Sequence, residues 1–96
     1  MLNYIGLVYD RLGRREETLR YYERALPILE DVGDRYVESS TRFNMAVIYR
    51  AQGALEHAVI ELRKVVELDR QVQHPELEND VAVLKKAETE WAARGE

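Results

Sequence analysis

The chain repeats itself with a period of 40 residues. The stretch IGLVYDRLGRREETLRYYERAL, beginning at Ile5, returns as MAVIYRAQGALEHAVIELRKVV, beginning at Met45. In that register Gly6 meets Ala46, Leu7 meets Val47, Val8 meets Ile48, Tyr9 meets Tyr49, Gly13 meets Gly53 and Leu26 meets Val66. Small residues stay small and apolar residues stay apolar. Self-similarity at such a period is the mark of a solenoid, in which each unit is one supersecondary element that buries its apolar face only against its neighbours.

Within each unit the apolar spacing is helical. Ile5, Val8, Tyr9 and Leu12 fall at i, i+3, i+4 and i+7, and so predict a first helix that ends at Gly13. A second helix is predicted from about Arg15, with Thr18, Leu19, Tyr22, Ala25, Leu26 and Leu29 on one face. Gly33 stops it and Asp34 caps the next, which runs to about Gln52 with Phe43, Ala46, Val47 and Tyr49 inward. Gly53 separates this from a helix over Leu55 to Val72. QVQHPELEND is a further break, with Pro75 where a first helical turn tolerates it, and a last helix reaches about Ala93 with Leu77, Val81, Leu84 and Trp91 on its stripe. Pro27 falls inside the second helix, where a missing donor and a clash predict a bend or an early loosening. The expected fold is all-α, a superhelix of about five antiparallel helices in one domain: one unit over about 1–33, a second over about 34–73, and a capping helix over about 75–93.

Composition agrees with a folded helical chain. Its 96 residues are 46% hydrophobic and 33% charged, with five glycines, two prolines and a formal net charge of −4. That acidic balance argues against nucleic acid as a partner. No apolar run is long enough to cross a membrane, so none is expected as a partner. The absence of cysteine fits a reducing compartment, and a cytoplasmic location is expected.

Catalytic readings find little support. GLVYDRLG, Gly6 to Gly13, lacks the strand-to-helix context and the lysine of a phosphate loop. Glu16–Glu17 and Glu88–Glu90 read as solvated helix faces rather than acid–base pairs. His57 and His74 lack metal-ligand spacing, and Ser39, Ser40 and Thr41 have no nearby base. No enzyme, metal or cofactor is expected.

The joint spacing resembles the tetratricopeptide repeat, a helix-turn-helix unit. The first unit places Leu2, Ile5, Gly6, Tyr9, Gly13, Thr18, Tyr22 and Ala25 at the motif positions; the second places Arg42, Met45, Ala46, Tyr49, Gly53, Ala58, Leu62 and Val65. The period is similar to that of an extended 40- to 42-residue subclass, seen in kinesin light chains and bacterial regulators. One period further on, Lys86 and Thr89 depart from the motif, as in the solvating helix that closes such arrays.

The resemblance implies a protein-interaction module that takes a partner's peptide or helix on its concave wall. Motif positions place Asn3, Leu7, Asp10 and Arg11 there in the first unit, and Ser40, Phe43, Asn44, Val47 and Arg50 in the second. Asn44 stands where such repeats bond a peptide backbone. Arg11 and Arg50 suit a partner's carboxylate, and read equally as solubilising charges. The uncovered first helix implies either a piece of a longer protein or a structural segment that pairs as a homodimer through that edge.

Overall fold

The computed structural model describes residues 14–94. They form four helices: α1 (Arg15–Val32), α2 (Arg35–Ala51), α3 (Leu55–Val72) and α4 (Leu77–Ala93). The boundaries follow the chemistry of the turns. The chain leaves α1 through Gly33 at φ 74°, a left-handed conformation that glycine enters without a Cβ clash. The Asp34 carboxylate then accepts from the Val37 N–H at 3.1 Å and caps α2. Gly53, at φ 79°, turns the chain from α2 into α3. Gln73 makes the left-handed turn after α3, a position where sequence gives no glycine to announce it. The first of the five expected helices lies outside the described residues. Pro27 does not loosen α1, which continues to Val32.

Consecutive helices pack on one another, α1 on α2, α2 on α3 and α3 on α4. Residue pairings fix their directions. Ser39 near the start of α2 bonds Asp69 near the end of α3, and Gly53 before α3 meets Arg94 after α4, so neighbours run antiparallel. Arg50 of α2 meets Glu90 of α4, a separation of one period, so α2 and α4 run side by side in the same direction. By place, α4 is the first helix of a further unit.

The apolar faces close into two clusters. Ala46, Ala58, Val59, Leu62 and Ala87 form one, with Phe43, Val83, Leu84 and Trp91 packed against it. Tyr22, Met45 and Ile48 form the other, flanked by Leu19 and Leu26. Tyr49 touches both. The small residues Ala46, Ala58 and Ala87, one from each of α2, α3 and α4, stand together in the first cluster. Two inward expectations shift: Val47 is 40% exposed, and on α4 Asp80 and Ala87 are the buried positions while Leu77, Val81, Leu84 and Trp91 are half-buried.

Candidate partner-binding groove

The side-by-side placement of α2 and α4 leaves a furrow between them. Its upper part is a cavity of about 190 Å³, walled by Ser39, Ser40, Phe43 and Asn44 of α2, His74 and Glu76 of the turn, and Asp80 of α4. Residues 40, 43, 44, 47 and 50 share one stripe of α2, because i, i+3, i+4, i+7 and i+10 recur on one helical face. The structure thus brings Ser40, Phe43 and Asn44 to the cavity and sets Val47 and Arg50 further along the same stripe. Asn3, Leu7, Asp10 and Arg11 lie outside the described residues.

Each of these side chains has a different neighbourhood. Ser40 donates to the Tyr36 carbonyl within its own helix at 3.3 Å. Phe43 is half-buried, one side on the Ala58–Leu62 cluster and the other on the cavity. Among the described residues nothing hydrogen-bonds the Asn44 amide, although Asn44 is only half-exposed. Arg50 is engaged: its Nε and Nη2 donate to the two Glu90 oxygens at 3.2 and 3.0 Å. Arg50's hydrogen bond is the main reason the Glu90 carboxyl sits below its usual pKa, burial opposing it. The fork therefore ties the walls of the groove together. Glu88 likewise accepts from Arg63 of α3 at 3.1 Å, so the Glu88–Glu90 face is an ion-paired seam rather than a purely solvated one.

The cavity is acidic. Burial first, then contact with Asp69, and to a lesser degree the charge of Glu76, raise the Asp80 carboxyl to about 7, with the Asn79 amide opposing. Among the described residues that line the cavity none is lysine or arginine. Histidine and carboxylates are too sparse for a metal: no group of three such ligands converges among the described residues.

Four charged residues, Glu38, Arg42, Asp69 and Asp80, are buried, which the sequence did not announce. Arg42, the first motif position of the second unit, is 7% exposed and donates to Glu38 (3.0 Å), Glu61 (2.8 Å) and Glu30 (3.1 Å), joining α1, α2 and α3. Burial works to lower its pKa, but the bonds and charges of Glu61 and Glu38 outweigh this and raise it. Asp69 and Asp80 are the others. The signal was a charge on an inward stripe: Asp69 follows Leu62, Val65 and Val66 at helical spacing, and Asp80 shares a face with Ala87.

Comparison with known proteins agrees with the repeat. A tetratricopeptide repeat family model matches residues 1–71. No curated protein and no solved structure is significantly similar to the chain. Repeats of this kind generally mediate protein–protein interaction and are typically non-catalytic. A match over most of its length, on helices paired and spaced as the repeat requires, makes this chain a member of the tetratricopeptide repeat family.

Proposed function

We propose that the chain is an interaction module, part of a larger regulatory or scaffold assembly in the cytoplasm, that holds a peptide or helix of a partner protein in the furrow between α2 and α4. The observation that carries this reading is the Asn44 amide. Half-buried, beside the Phe43 ring, it has both a donor and an acceptor to offer a main chain laid along the furrow. Exposed Val47 continues the contact surface with an apolar side chain, in keeping with recognition of a helix or an extended strand. Arg50 serves by holding α4 in place. A carboxylate from a partner would only exchange with Glu90, one acceptor for another.

Peptides selected on the wild-type protein from a random display library provide the test. Asn44→Ala combined with Val47→Glu is expected to weaken their binding at least tenfold while the melting temperature stays unchanged. Equal binding to the variant would overturn the assignment of this face.

A further inference from the structure

We infer that Asp69 and Asp80 form a proton-linked clasp that fastens α4 to the rest of the array, docked while the pair shares one proton and loosened when that proton leaves. The two carboxyls come from adjacent helices, α3 and α4, and converge on Ser39, which bonds Asp69 and walls the same cavity as Asp80. Asp69 is fully buried and Asp80 is 6% exposed. Ser39 of α2 donates its hydroxyl to Asp69 Oδ1, so three helices meet at this point. Asp69 Oδ2 is buried with no donor. A buried carboxylate oxygen left in that condition is costly, and two neighbouring carboxylates are costlier still. A proton on Asp80 removes both costs: the pair then carries one charge, and the Asp80 hydroxyl donates to the orphaned oxygen.

The surroundings reinforce the sharing. From the turn, Glu76 adds a further negative charge and His74, stacked on Tyr36 of α2 at 4.4 Å, uses its Nδ1 to accept from the Glu76 N–H. On α4, the Asn79 amide donates weakly to Asp80 at 3.4 Å. Neither α2 nor α3 contributes a lysine or arginine to the cavity that Asp80 faces.

The sign follows from linkage. An unfolded aspartate titrates near 3.9, whereas Asp80 in the fold is raised to about 7. The clasp's contribution is therefore fully present below the ordinary aspartate range and is lost as pH rises through about 7. A group with that folded value makes docking about tenfold less favourable at pH 8 than at pH 6. Most proteins paired through carboxylates weaken on acidification; this joint weakens on the alkaline side.

Trp91, the only tryptophan, packs on the core from α4 and reports the docking directly. The wild type is expected to show a lower urea midpoint by Trp91 fluorescence at pH 8 than at pH 6, with α4 amides exchanging about tenfold faster once corrected for intrinsic rates. In Asp80→Asn the side-chain amide replaces the shared proton, so the difference should vanish, whereas His74→Gln should keep it. Carbon NMR of the aspartate carboxyls in the wild type supplies a readout independent of any variant, and one member of the pair should titrate near 7. Titration of both in the ordinary range would overturn the inference. So would a wild-type pH response in Asp80→Asn, or its loss in His74→Gln.

Discussion

Replacing Arg42 by alanine is expected to cost about 3 kcal/mol of folding stability. The guanidinium is buried, and three carboxylates from three helices converge on it. Removing it leaves Glu38 and Glu61, both largely buried, facing one another without a cation. Breaking such a group by deleting one partner strands uncompensated charge, and that loss exceeds what the intact group contributes relative to apolar residues. The three carboxylates are not equal. Glu30 is half-exposed and can turn to water, so Glu30→Ala is expected to cost under about 1 kcal/mol. Urea denaturation of the two variants checks the contrast, and equal losses would refute it.

Leu62→Ala should have a comparable effect, about 3 kcal/mol. Leu62 is fully buried in the cluster with Ala46, Ala58, Val59 and Ala87. The buried residues around it are alanines and one valine, while Phe43, Tyr49, Leu84 and Trp91 are only partly buried at the margin of the cluster. Little can move in to fill the space, which places the cost in the middle of the range for such truncations rather than at its foot. The midpoint of urea unfolding should fall with the slope unchanged. A loss under about 1 kcal/mol would show that the helices collapse onto the gap.

Much of this fold was legible because it is written locally. Gly33, Asp34 and Gly53 mark ends that depend on a few neighbouring residues, and the described helix bounds follow them. The early loosening expected at Pro27 does not occur, because Tyr22, Ala25 and Leu29 hold the buried face of α1. The groove was legible in part. Ser40, Phe43 and Asn44 reach one cavity because helical periodicity alone puts them on one stripe. What faces them was not, since the meeting of α2 with α4 joins residues some forty positions apart and depends on tertiary packing. The charged residues were hardest. Arg42, Asp69 and Asp80 occupy inward positions where a pattern of polarity predicts solvent, and only their partners on other helices make burial tolerable.

The Arg50–Glu90 pair shows that the helical spacing does not stop where the family motif does. The family motif fades by residue 71, yet the spacing of helices continues through α4, whose Glu90 lies one full period beyond Arg50. Geometry outlasts the motif by half a unit. A polypeptide cut after Val72 would keep every motif residue of both units and still lose the cover over Ala58 and Leu62, one wall of the furrow and the counter-charge of Arg50. Such a truncation is expected to melt at a far lower temperature than the whole chain or to aggregate through the exposed cluster. For this protein the boundary of the recognisable sequence and the boundary of the folding unit are different places.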